Sequence, residues 1–155
     1  MGEEKNGNEE ESLLLYETWT LAHSVGSLME KALEGASLNS EDFGFYSAIF
    51  ENQPVTPAGI AEVAGMPPTT VSSYLNRVVE RGHIVKARNP ADGRSFLIEL
   101  TPPGMKVLHE TWLRFLPAQE AVIKNLALPE EQVIAALREL TRATQAATPE
   151  NGAKS

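Results

Sequence analysis

Between Thr56 and Gly82 the chain is punctuated so closely that few folds accommodate it. Thr56-Pro57 opens one segment and Gly65 closes it, then Pro67-Pro68 leads into another that Gly82 closes. A hydroxyl residue before a proline starts a helix. Its oxygen accepts an orphan N–H, and proline lacks a donor that the first turn would leave unpaired anyway. A glycine after the last apolar position ends one, because it enters the left-handed conformation without a Cβ clash. The spacing predicts a short helix over Pro57–Ala64 that buries Ile60, Ala61 and Ala64. The second predicted helix has Val71, Leu75 and Val78 at i, i+4 and i+7.

Two short β-type runs follow, His83–Arg88 and Ser95–Leu100, around the turn-rich tip Asn89-Pro90-Ala91-Asp92-Gly93-Arg94. Phe96, Ile98 and Leu100 alternate onto one face of the second run. On the N-terminal side, Leu15, Trp19, Ala22, Gly26, Met29 and Leu33 recur at helical steps, which predicts a helix from a Ser12 cap to about Leu38. Asn39 or Ser40 caps a second helix carrying Phe43, Tyr46, Ile49 and Phe50, with acids on its positive end. On the C-terminal side, Thr101 caps a long helix that Pro117 is expected to kink or end. Asn125–Leu128 form a turn, and Pro129 opens a last helix to about Ala146.

The expected order is α-α-α-α-β-β-α-α, mainly α with a small β-hairpin. Residues 39–101 form the central module, residues 12–38 and 102–147 the flanking helical region, and residues 1–11 and 148–155 disordered tails. A first short helix, a glycine-containing turn and an outward-facing second helix make a helix-turn-helix, and a hairpin directly after it is a wing.

The charge distribution says where such a module would meet a partner. The net charge is −8, but residues 1–54 hold eleven acids against two bases, and residues 102–155 hold six of each. Only residues 55–101 carry a basic excess, with Arg77, Arg81, Lys86, Arg88 and Arg94 against four acids. No apolar run approaches the roughly 18 residues of a membrane span. The acidic N-terminus is unlike a secretory or transit signal, and the expected location is the cytoplasm. Absence of cysteine excludes disulfides and thiolate metal sites.

Thr69, Thr70, Ser72, Ser73, Asn76 and Arg77 form the polar face of the second helix. Small hydroxyls let a helix backbone approach the major groove, while Asn and Arg reach base edges or phosphates. The same residues would also suit an ordinary solvated face. The hairpin tips the balance, because Arg88 and Arg94 bracket a tip able to enter the minor groove, where negative potential attracts guanidinium groups. Asp92, two residues before Arg94, is expected to brace its side chain. The full expected DNA-facing set adds Thr56, Pro68 and Lys86 to these residues.

The stretch Val55–Val85, together with Asp92-Gly93-Arg94 and Leu100-Thr101-Pro102-Pro103-Gly104, resembles the MarR family of winged helix-turn-helix transcriptional regulators. The resemblance implies a homodimer joined through the first and last two helices. It implies a pseudo-palindromic operator with half-sites about 10 bp apart, and repression relieved by a small aromatic or phenolic effector between the lobes. Ser73 and Ser95 stand where many relatives carry bases, so modest and strongly salt-dependent binding is expected. Thiol-oxidation switching, used by some relatives, is excluded here.

Trp19, His23, Phe43, Tyr46, His109 and Trp112 are the candidates to line an effector pocket, although aromatics at helical spacing serve equally as core or dimer interface. Three histidines without cysteine make a poor metal set. No nucleophile–base–acid pattern, phosphate loop or cofactor motif is present, so a binding protein is expected and not an enzyme. The acidic total keeps a second class open, a winged-helix protein-interaction module without DNA binding.

Overall fold

The computed structural model describes residues 13–148. Its elements are α1 (Leu13–Ala32), α2 (Ser40–Asn52), α3 (Pro57–Ala64), α4 (Pro68–Glu80), β1 (Ile84–Arg88), β2 (Phe96–Leu100), α5 (Pro102–Lys124) and α6 (Glu130–Ala147). This is the expected mainly helical order with one antiparallel hairpin. The Ser12 cap and the expected tails lie outside the described residues, except Thr148, which ends α6.

Local chemistry explains the central boundaries. Asn39 Oδ1 accepts from the Asp42 N–H at 2.8 Å and so caps α2. Thr56 Oγ1 accepts from the Gly59 N–H at 3.0 Å and caps α3, which Gly65 closes at φ 62°. Thr101 Oγ1 caps α5 in the same manner.

Two boundaries depart from expectation. Helix α1 stops at Ala32 and not near Leu38, because the chain turns at Gly35 (φ 72°) and drives Leu33 and Leu38 into the core. Both are apolar for burial in a turn, which the helical spacing disguised. Helix α5 continues to Lys124, so Pro117 lies within the helix and does not end it. Proline deprives the Leu113 carbonyl of its helical donor, but both residues are exposed, so water can satisfy that oxygen.

The core lies inside the central module. Phe45, Tyr46 and Ile49 of α2 are fully buried against Ile60 of α3, Val71, Leu75 and Val78 of α4, and Ile98 of β2. Each such side chain contributes roughly 1.5–3 kcal/mol by leaving water. The hairpin pairs Ile84 with Leu100 and Arg88 with Phe96. Val55 adds a short third rung, exchanging backbone hydrogen bonds with Ile98 at 2.8 and 3.2 Å. Gln53 Oε1 accepts from the Leu100 N–H, tying the α2–α3 connection to the base of the hairpin. Helices α1 and α6 bury no residue, and both leave long apolar faces open.

Candidate nucleic-acid interface

Burial of Val71, Tyr74, Leu75 and Val78 fixes which side of α4 faces outward. Thr69, Ser72, Ser73 and Asn76 are exposed on that side, with Pro68 at the helix start and Thr70 half-buried. Their short side chains hold no hydrogen bond to another element among the described residues, so their polar atoms are open to a partner. Thr56 is half-buried, and its hydroxyl is engaged in capping α3.

Arg77 is exposed on this face as well, but its guanidinium already has partners. Its Nη2 donates to Asp42 Oδ1 at 3.3 Å, and its guanidinium carbon lies 4.3 Å from the Tyr74 ring centroid. Arg81, one turn on, donates to Asp42 Oδ2 at 2.8 Å. Tyr74 donates to Glu41 Oε2 at 2.6 Å and stacks on Phe45. The first turn of α2 therefore grips the C-terminal half of α4 through two carboxylates. The bond to Glu41 and then burial raise the Tyr74 pKa, while the bond to Asp42 raises that of Arg81. Sequence spacing missed Glu41, Asp42, Tyr74 and Arg81 as part of this site. The two acids read equally well as a favourable charge at a helix start.

In the wing, Lys86 and Arg88 fall on the same face as Ile98 and Phe96, with their charged ends exposed. The Lys86 ammonium sits 4.6 Å from the Phe96 ring centroid, a cation–π arrangement that leaves its outer side to solvent. Arg94 is exposed at the other end of the tip. Asp92 does not brace the Arg94 side chain. Its Oδ1 accepts from the Arg94 backbone N–H at 3.0 Å, and Asn89 Oδ1 accepts likewise from the Ala91 N–H. Asx turns of this kind fix the backbone of the tip and leave the guanidinium free to reach outward.

The six candidate pocket residues do not gather in one place within the chain. Trp19 and His23 lie against one another on exposed α1, with ring centroids 4.2 Å apart. Tyr46 is wholly buried, with its hydroxyl 2.8 Å from His83 Nδ1. Burial raises the Tyr46 pKa and lowers that of His83. Phe43 is core, packed near Trp112 at 6.2 Å between ring centroids. His109 and Trp112 line an open groove, about 380 Å³, between α2 and α5, together with Phe50, Glu51, Met105 and Leu108, whereas His23 lines a separate shallow pocket along α1. Phe50 was legible as apolar, but its 43% exposure depends on the α2–α5 crossing. Among the described residues no three His, Asp or Glu side chains gather as a metal site, and no helix is long and apolar enough to cross a membrane.

Known proteins agree with this architecture. Residues 47–95 match the model of the MarR family. A Thauera aromatica protein assigned as a transcriptional regulator of the hcr operon is 26% identical over 66 residues, which are 43% of this chain. The chain spans about 40% of the length of that relative. Among solved structures, the Mycobacterium tuberculosis regulator MosR in complex with DNA superposes with a TM-score of 0.72 at 23% identity, covering 88% of this chain and 98% of that one. A mutant of Escherichia coli MarR complexed with operator DNA gives 0.70 at 19% identity, covering 90% and 99%.

Proposed function

With residues 47–95 a MarR-family segment set within the fold of MarR regulators, we propose that the chain is a sequence-specific DNA-binding transcriptional regulator, not an enzyme. One observation carries the reading. The exposed, unpartnered hydroxyl and amide groups of α4 stand beside a hairpin whose hydrogen-bonded tip is bracketed by Arg88 and Arg94. In this reading Thr69, Thr70, Ser72, Ser73 and Asn76 meet base edges and nearby phosphates in the major groove. Pro68 and Thr56 shape the approach, and Lys86, Arg88 and Arg94 serve the flanking minor groove and its phosphates.

The functional unit is a homodimer built from residues 12–38 and 102–147. Leu14, Leu15, Tyr16 and Trp19 of α1 and Ile134 and Leu137 of α6 are exposed in the single chain, an apolar surface that a second copy would cover. Two modules related by a two-fold axis read a pseudo-palindrome, and covering a promoter represses it. The α2–α5 groove, apolar with Glu51 and His109 at its wall, suits a small aromatic effector that releases the DNA.

Gel shifts against the DNA upstream of its own gene, at low and moderate salt, test the reading. Retarded, competitor-resistant complexes that weaken steeply with salt are expected. A folded protein that retards no duplex at low salt would instead be a winged-helix protein-interaction module. Calorimetry with simple phenols, followed by the same gel shift with the ligand present, tests the effector.

A further inference from the structure

We infer that Asp42 is a specificity-determining residue, holding Arg77 and Arg81 away from the phosphate backbone so that binding depends on base readout. The inference rests on the DNA-binding reading above. Thr69, Ser73, Arg77 and Arg81 follow one another at four-residue steps and form a single stripe along α4 and its C-cap. The first half of the stripe presents open hydroxyls, whereas the second half ends on a carboxylate from another helix. The Asp42 side chain is 6% exposed, while those of Arg77 and Arg81 are 49% and 40% exposed. Both guanidinium groups thus reach the surface on the stripe that begins with the open hydroxyls, yet share one buried acceptor.

The physical balance favours the hold. Releasing both arginines would leave a buried carboxylate without a partner, which is strongly destabilising, whereas an exposed arginine–phosphate contact is solvated and screened by salt. Arg81 makes the shorter bond, and Arg77 gains a second restraint from the Tyr74 ring. Two of the five bases of residues 55–101 thereby share one compensating carboxylate, leaving Lys86, Arg88 and Arg94 of the wing as its only cations without an ion pair among the described residues. Phosphate contacts raise affinity for every sequence alike. Holding two of them back lowers non-specific binding more than specific binding, which widens the ratio that matters against a genome of competing sites.

The test uses the full chain and two duplexes of about one to three helical turns, one from upstream of its own gene and one a scramble of equal composition. Affinities are measured by fluorescence anisotropy across about 50–200 mM salt. Asp42→Asn keeps the shape and removes the charge. It is expected to bind the scrambled duplex more tightly, with a log–log salt slope steeper by roughly 0.9 for each released arginine. The ratio between the two duplexes should shrink. Adding Arg77→Gln and Arg81→Gln to Asp42→Asn should restore the native slope. In the native background, Arg77→Gln alone should leave the slope unchanged, a measurement that stands even if Asp42→Asn fails to fold. An unchanged slope in folded Asp42→Asn, or flattening by about 0.9 in Arg77→Gln, overturns the inference. If the native chain binds neither duplex at low salt, the DNA-binding reading itself falls and the inference with it.

Discussion

The Tyr46 hydroxyl and His83 Nδ1 lie 2.8 Å apart where α2 meets the start of β1. The same histidine carbonyl accepts from the Thr101 N–H at 3.0 Å, and Thr101 Oγ1 donates to the Gly82 carbonyl at 2.7 Å. The end of the α4 segment, the base of the wing and the start of α5 therefore converge on one residue. With its pKa lowered, the imidazole is neutral near pH 7, and Nδ1 shares one hydrogen bond with the tyrosine hydroxyl. Tyr46→Phe keeps the ring and removes this bond. A stability loss of about 0.5–1.5 kcal/mol is expected from urea unfolding, and no loss would show that water satisfies His83 equally well.

His83 also gives the fold a pH dependence. Burial, then repulsion from Arg81, holds its pKa below the ordinary 6.5. The unfolded chain thus binds more protons between the two values, so stability is complete above 6.5 and is lost as pH falls through the folded value. His83→Gln removes this contribution. The loss of urea midpoint between about pH 7.5 and about pH 5 should be smaller in the variant than in the native chain. Equal losses would assign the acid sensitivity to carboxylates.

Gly104 packs against the same carbonyl from the first turn of α5. A Cβ there would overlap His83 O, which is backbone and cannot rotate away. Gly104→Ala should cost about 1–3 kcal/mol by overpacking, measured as a lower thermal midpoint. Gly44, with open space around it, accepts alanine without that clash and serves as the control.

At the wing tip, the role of Asp92 separates two kinds of substitution. Asn presents the same oxygen to the Arg94 N–H, so Asp92→Asn should retain DNA affinity, whereas Asp92→Ala should weaken it. Arg94→Ala should lose on the order of 1–3 kcal/mol of binding with an unchanged melting temperature. Full affinity in folded Arg94→Ala would remove the wing from the interface.

The open faces of α1 and α6 predict the assembly. A Leu15→Glu, Trp19→Glu double variant places two charges on surface that is 67% and 59% exposed in the single chain. Sedimentation should show the native mass halved. A variant that remains dimeric places the interface elsewhere.

Caps and turns were legible in the sequence because they act within three or four residues. Thr56, Gly65, Gly82 and Thr101 name their own conformations, and α3 begins and ends where those residues require. The polar face of α4 was legible for a similar reason, since Val71, Leu75 and Val78 fix its opposite side. What lay beyond reach was every relationship set by packing between distant segments. Leu33 and Leu38 continue a helical rhythm although Gly35 has already turned the chain. Asp42 meets Arg77 and Arg81 across 35 and 39 residues, so no local pattern marks it as their partner. The sequence by itself determined that a winged helix-turn-helix would form, because backbone chemistry and apolar period are local. Only the tertiary structure decided which arginines are held in ion pairs, because that depends on which carboxylate the folded chain brings beside them.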